Sequence, residues 1–171
     1  MSFLSNRVQD LAESATIAMA EKSRALKAEG RDIISLSLGE PDFNVPNFLK
    51  EAAKKGVDDN YSKYMPVPGY LDLREAICNK FDRDNGLKYN ANQIVVSTGA
   101  KQSLINVILA LVNPGDEVIV PAPYWVTYYE QVRMAGGIPV VISTTIDNDF
   151  KMTAAQLKGA ITNKTKLMIF S

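Results

Sequence analysis

Residue types that suit the binding of a phosphorylated compound lie in a loop between a buried-strand pattern and a helical one. Ser97-Thr98-Gly99-Ala100-Lys101 places backbone N–H groups, hydroxyls and one ammonium at the positive end of the predicted helix, which favours an anion such as phosphate. The alternative is that Thr98 only caps the helix and Lys101 is a solvated side chain. The loop matches neither G-x-G-x-x-G nor a Walker lysine motif, which argues against dinucleotide and nucleoside triphosphate sites.

A second loop, Pro121-Ala122-Pro123-Tyr124-Trp125, carries the only tryptophan of the chain. Its indole offers a flat surface on which an aromatic ring can stack, and packing in the core is the alternative. Ligands of an open α/β sheet collect beyond the carboxyl ends of the strands, where both loops are predicted to lie. A phosphate-binding loop beside an aromatic surface would suit a ligand that is a phosphorylated aromatic ring. The simplest candidate for such a ligand is pyridoxal 5′-phosphate (PLP).

The composition restricts the remaining chemistry. The 171 residues contain no histidine and a single cysteine, Cys78, which excludes histidine triads, histidine-containing zinc sites and an internal disulfide. Proton transfer is left to Lys, Tyr, Asp or Glu, and no metal site is predicted. The 19 basic side chains balance 19 acidic ones without forming a basic cluster, so we expect no nucleic-acid partner.

Hydrophobic periodicity predicts the elements that position the two loops. Helices are expected over residues 5–29, as an amphipathic arm, and over 46–57, 73–85, 104–112, 126–135 and 154–161. A short extended segment is expected over 33–38, and strands over 94–96, 117–120, 138–142 and 166–170. Strands that alternate with helices predict parallel βαβ units in a layered α/β sheet. The apolar run 167–170 is typical of a central strand covered on both faces, and we interpret the chain as a piece of a longer protein.

The sequence shows neither an export signal nor a membrane span. Residues 1–19 mix Arg7, Asp10 and Glu13 with apolar residues, whereas a signal peptide has an unbroken apolar stretch. The longest purely apolar run, 107–112, is far shorter than the roughly 20 residues that cross a bilayer. We therefore expect a soluble, cytoplasmic protein without a membrane partner.

Five motifs together resemble class I aminotransferases, specifically the bacterial aspartate aminotransferase type. They are Ser-Leu-Gly-Glu-Pro-Asp-Phe at 37–43, Tyr-Met-Pro-Val-Pro-Gly at 64–69, Leu-Arg-Glu-Ala-Ile at 73–77, Ser-Thr-Gly-Ala-Lys-Gln at 97–102 and Pro-Gly-Asp-Glu-Val-Ile-Val-Pro-x-Pro-Tyr-Trp at 114–125. The motifs span nearly the whole chain in the family's order and spacing. The resemblance is therefore more specific than any one motif.

The resemblance implies a fold, a reaction and a partner. The fold would be the type I PLP-dependent transferase fold, a three-layer α/β/α structure with a parallel sheet, incomplete in this chain. Residues 1–45 would form the amino-terminal arm with a small-domain segment, and 46–171 the first part of the large PLP-binding domain. The reaction would move an amino group between L-aspartate, or another amino acid, and a 2-oxo acid such as 2-oxoglutarate through a PLP aldimine. The active form would be a homodimer with two sites at the subunit interface.

The resemblance also assigns roles to individual residues. It places the cofactor phosphate on Gly99, Ala100 and Lys101. Trp125 corresponds to the residue that stacks on the cofactor ring beside the substrate, and Gly39 to a main-chain contact of the substrate carboxylate. Tyr64 corresponds to the tyrosine that reaches the cofactor phosphate of the other subunit; without the resemblance it would be an ordinary loop tyrosine.

Several functional groups of the family have no match in these 171 residues. They are the Asn-Pro-Thr-Gly loop, the aspartate on the pyridine nitrogen, the tyrosine on the ring hydroxyl, the Schiff-base lysine and the arginine for the α-carboxylate. We therefore assign no catalytic residue within this chain. Two alternatives stay open: a lyase or synthase of the same fold, or a non-catalytic phosphate-binding or oligomerising module.

Overall fold

A computed structural model describes residues 3–171 of the chain. They form two compact units: the described part of Met1–Leu38 together with Ala100–Ser171, and Gly39–Gly99. The domain boundary expected between residues 45 and 46 stays a prediction.

The described residues contain the following elements. The helices are α1 (Asn6–Gln9), α2 (Ala15–Ala28), α3 (Asn47–Asp58), α4 (Leu71–Asn85), α5 (Ala100–Leu111), α6 (Val126–Met134) and α7 (Ala154–Ala160). The strands are β1 (Glu117–Ala122), β2 (Ile138–Ser143) and β3 (Thr165–Met168). None of the helices within residues 3–171 has the length and apolar character needed to cross a membrane.

The sheet of the first unit has the order β2-β1-β3, and both pairings are parallel. Ile119 of β1 lies opposite Val140 of β2 and Met168 of β3. Helix α6 lies in the chain between β1 and β2, and α7 between β2 and β3, which is the βαβ arrangement that the periodicity predicts. The parallel α/β fold class is thereby confirmed.

Burial singles out β1 as the centre of the sheet. Val118, Ile119 and Val120 are 0–1% exposed although consecutive side chains point to opposite faces, so both faces of the strand are covered. That 167–170 is a central strand covered on both faces stays a prediction. Strand β3 forms an edge of the described sheet, with no strand on its outer side, and Phe170 beyond it is 66% exposed.

Two predictions are corrected by tertiary contacts. The arm 5–29 is not one helix, because α1 ends at Gln9 and the backbone N–H of Ala12 donates to the Glu130 carboxylate of α6 at 3.4 Å. The segment 94–96 is not a strand, because the N–H of Val96 donates to the carbonyl of Pro68 at 3.0 Å and lies outside the sheet. In both places a contact from a distant part of the chain overrides a local pattern.

In the second unit, Arg74 of α4 fixes the end of the loop that follows α3. Its Nε donates to the carbonyl of Gly69 at 3.1 Å, and its Nη1 to the carbonyl of Ala91 at 2.8 Å. The rings of Tyr61 and Tyr70 meet edge to face with centroids 5.3 Å apart. The loop between these tyrosines is therefore anchored where it joins the rest of the unit.

Gly69 provides a test of this anchoring. Its φ is +100°, and a Cβ added there would lie 2.9 Å from Cγ2 of Val96, so Gly69→Ala combines a strained backbone with a steric clash. We expect it to lower the free energy of unfolding by about 2–4 kcal/mol, measured from the shift of the urea midpoint of the full natural protein.

Gly56→Ala is the matched control for that substitution. Gly56 lies inside α3 with no atom within 4 Å of an added Cβ, so alanine should raise stability by about 0.5–1 kcal/mol through its higher helix propensity. Equal urea midpoints for the two variants would contradict the steric account of Gly69.

Candidate active site

The structure brings together two of the residues that the sequence singles out. Lys101 lies in the first turn of α5, and Trp125 directly precedes α6. The ammonium Nζ of Lys101 lies 5.4 Å from the centroid of the Trp125 ring, within the range of a cation–π contact. The predicted phosphate-binding lysine and the predicted stacking ring therefore share one place in the first unit.

The local fold explains why Trp125 is accessible. Tyr124 packs against the buried core cluster, and its ring stacks with that of Tyr129 at a centroid distance of 6.2 Å and an interplanar angle of 10°. Trp125 does not belong to this cluster and keeps 44% of its surface exposed. Within residues 3–171, Trp125 is therefore outside the core.

A polar contact that the sequence analysis does not predict holds the backbone of Lys101. The side-chain Nε2 of Gln131 in α6 donates to the Lys101 carbonyl at 2.9 Å, and Gln131 is only 9% exposed. Gln131 is three residues after Tyr128 and four before Ala135, both of which pack on the core. A glutamine on the buried face of an otherwise apolar helix stripe is the sequence signal that could have found it.

Gly99 and Ala100 lie at the boundary between the two units. Gly99 has a φ of +87°, and its N–H donates to the carbonyl of Ser97 at 2.8 Å in a tight turn. An added Cβ would meet no atom within 4 Å, so the backbone conformation rather than lack of space favours glycine. Ala100 begins the 12-residue helix α5, whose amino terminus carries a partial positive charge. Phosphate binding at these residues stays a prediction.

The other two predicted site residues belong to the second unit. Tyr64 is fully exposed, and together with Ser62 and Lys63 it borders an open depression. Gly39 lies in a segment without regular secondary structure, where an added Cβ would meet no atom within 4 Å. The roles of Tyr64 and Gly39 stay predictions.

Comparison with known proteins agrees with the resemblance. Residues 31–171 match the family model described as aminotransferase class I and II. The aspartate/prephenate aminotransferase of Cereibacter sphaeroides is 50% identical over all 171 residues, which cover 43% of that relative. The aspartate aminotransferase of Bacillus sp. is 48% identical over 168 residues, 98% of this chain and 43% of the relative. The chain thus spans less than half the length of the curated relatives it matches.

Solved structures show the same relationship in three dimensions. The aspartate aminotransferase from Thermus thermophilus with maleate has a TM-score of 0.93 at 43% identity, covering 98% of this chain and 44% of that chain. The aspartate aminotransferase from Rhizobium meliloti has a TM-score of 0.92 at 38% identity, covering 98% and 42%. The fold is accordingly an amino-terminal part of the type I transferase fold, and the chain belongs to the aminotransferase class I and II family.

Proposed function

We propose that the protein containing this chain is a PLP-dependent aminotransferase that moves an amino group between L-aspartate, or another amino acid, and a 2-oxo acid such as 2-oxoglutarate. The observation that carries the proposal is the contact between Lys101 and Trp125. These residues come from two separate motifs of the resemblance, and each is assigned to a different end of one cofactor. Their proximity supports a site for a small molecule with an anionic group and an aromatic ring.

The residues present fit PLP. An ammonium at 5.4 Å from a half-exposed indole supplies a cation for the phosphate and a flat surface for the ring. The phosphate also suits the amino terminus of α5 at Ala100, which Gly99 enters through its positive φ. When bound, PLP supplies an electron sink for negative charge that develops at the α-carbon of the amino acid.

This chain's own residues bind and orient in the proposed reaction. The indole of Trp125 would stack on the cofactor ring and exclude water from the stacked side. Lys101 and the first turn of α5 hold the phosphate, so that the reacting end keeps a constant position. The main chain of Gly39 contacts the substrate carboxylate. The proton transfers are assigned to residues outside these 171, since no catalytic residue is identified within them.

The proposed active form is a cytoplasmic homodimer in which Tyr64 serves the neighbouring subunit. Two observations on the second unit support this role. The Tyr64 side chain is fully exposed, and the loop that carries it is anchored by the bonds of Arg74 to the carbonyls of Gly69 and Ala91. An anchored loop with an exposed phenol can present a hydrogen-bond donor to a partner's phosphate.

The first test is the reaction itself. The full natural protein, supplied with PLP, L-aspartate and 2-oxoglutarate, should form oxaloacetate and L-glutamate in equal amounts, measured by coupled dehydrogenase assays. The 171-residue chain alone should show no turnover, because it has no match to the family's Schiff-base lysine. Release of a product from aspartate without glutamate would contradict amino transfer and indicate a lyase of the same fold.

A second test removes the stacking surface. Trp125→Ala in the full protein should weaken PLP binding about fivefold, because a stacking contact contributes on the order of 1 kcal/mol, while the thermal midpoint of the apo form stays unchanged. The measurement is a PLP titration followed by absorbance. Trp125→Phe is the control, since it keeps an aromatic ring and should lose less affinity. Loss of folding with unchanged PLP affinity in the folded fraction would show that Trp125 is structural.

A third test asks which subunit Tyr64 serves. Tyr64→Phe should weaken cofactor retention about tenfold or more, since a hydrogen bond to a charged acceptor contributes roughly 1.5–3 kcal/mol. A mixed dimer with a subunit inactive at the Schiff-base lysine then has one lysine-bearing site. If Tyr64 acts across the interface, that site receives the intact tyrosine and binds PLP normally. If the same site shows the Tyr64→Phe defect, the tyrosine acts within its own subunit.

A further inference from the structure

Gln131 is a buried polar residue whose presence packing alone does not explain. Its Nε2 donates to the Lys101 carbonyl, and its Oε1 has no hydrogen-bond partner within residues 3–171. A buried oxygen without a partner is destabilising, and a methionine of similar volume would avoid that loss. The reverse orientation of the amide would place Oε1 against the Lys101 carbonyl oxygen, where two acceptors repel. Within residues 3–171, the bond to Lys101 is therefore the polar contact that favours a glutamine here.

Two contacts from one segment converge on Lys101. Gln131 in α6 binds its carbonyl, and Trp125, directly before α6, lies under its ammonium. Trp125 and Gln131 are six residues apart, which corresponds to about 9 Å at the helical rise. The bond from Gln131 fixes the backbone of the first turn of α5. The ring of Trp125 contacts the Lys101 side chain, whose direction this backbone sets. The place of the ammonium over the ring thus depends on the register between α5 and α6.

We propose that Gln131 is a positioning residue that sets the Lys101 ammonium against the Trp125 ring. It acts through the Lys101 backbone, to whose carbonyl its amide donates. When the Gln131 amide is lost, the first turn of α5 loses its anchor on α6, and the ammonium leaves its place over the indole. The consequence for cofactor binding rests on the proposed function, because the same two residues are assigned to the two ends of PLP.

The test reads the environment of Trp125 by fluorine NMR in the full natural protein, labelled with 5-fluorotryptophan and freed of cofactor. The Trp125 resonance is assigned by its loss in Trp125→Phe, and Lys101→Met gives the displacement caused by removing the cation. Gln131→Met should move the resonance in the same direction by at least half of that displacement. Gln131→Asn, which keeps an amide too short to reach the carbonyl, should do the same and replaces Gln131→Met if the latter does not fold.

Val132→Ala is the control for a general loss of packing. Val132 is the next residue of α6 and is 0% exposed, so its truncation leaves a cavity without removing the bond to Lys101. The Trp125 resonance should stay in place in this variant. The proposal is overturned if Gln131→Met leaves the resonance where it is, if Val132→Ala moves it as far, or if Lys101→Met does not move it.

A PLP titration of the same variants separates this proposal from the function on which it draws. Gln131→Met should weaken PLP binding about fivefold, the effect of one ordinary hydrogen bond, with Val132→Ala unchanged. A displaced resonance in a full protein that binds no PLP would uphold the positioning and refute the cofactor. A full protein that transfers amino groups with an unmoved resonance would refute the positioning and uphold the function.

Discussion

The burial of β1 on both faces is the constraint on which the candidate site depends. Val118 and Val120 face the core formed with residues of α5 and α6, while Ile119 is equally buried on the other face. A strand covered on both sides and paired in parallel with β2 and β3 cannot slide by one residue without exposing apolar side chains. The loop after Ala122 therefore leaves the sheet at a fixed point, at the carboxyl edge where α/β sheets bind ligands.

The same burial gives the two aromatic residues of that loop, Tyr124 and Trp125, different surroundings. Tyr124 is turned into the core, and its neighbour Trp125 is left with nearly half of its surface exposed. The ammonium of Lys101, 5.4 Å from the ring centroid, is a cationic neighbour that favours this orientation of the indole. Packing of α5 and α6 on β1 thus creates the contact from which the cofactor site is proposed.

The parts of the fold that the sequence predicts are those whose signal is local. The helical stripe of α4 and the apolar run of β1 each contain enough residues to fix their own period. The helix break near Ala12 and the hydrogen bond from Val96 to Pro68 depend on residues far along the chain. Hydrophobic periodicity does not detect such contacts. The neighbours of a strand are a further point that a short apolar run does not reveal, since the run at β1 does not show that β2 and β3 flank it.

The candidate site shows the same division between local and distant information. The loops with Lys101 and Trp125 carry their own signals, in a helix start and a single tryptophan. The pattern of α6 can mark Gln131 as a buried polar residue, but its bond to Lys101 becomes visible only when α5 and α6 pack together. The conformation of the turn at Gly99 is weak evidence for a ligand. Gly99 is explained by its positive φ alone, with no ligand required.

Lys101 has no such backbone explanation. A merely solvated lysine would extend into water with its long side chain unrestrained, because ordering it loses rotamer entropy. Here the carbonyl of Lys101 is bonded by a buried glutamine and its ammonium lies over the one indole of the chain. Within the motif 97–102, this contact makes the exposed lysine, rather than the glycine, the residue on which the proposed phosphate site depends.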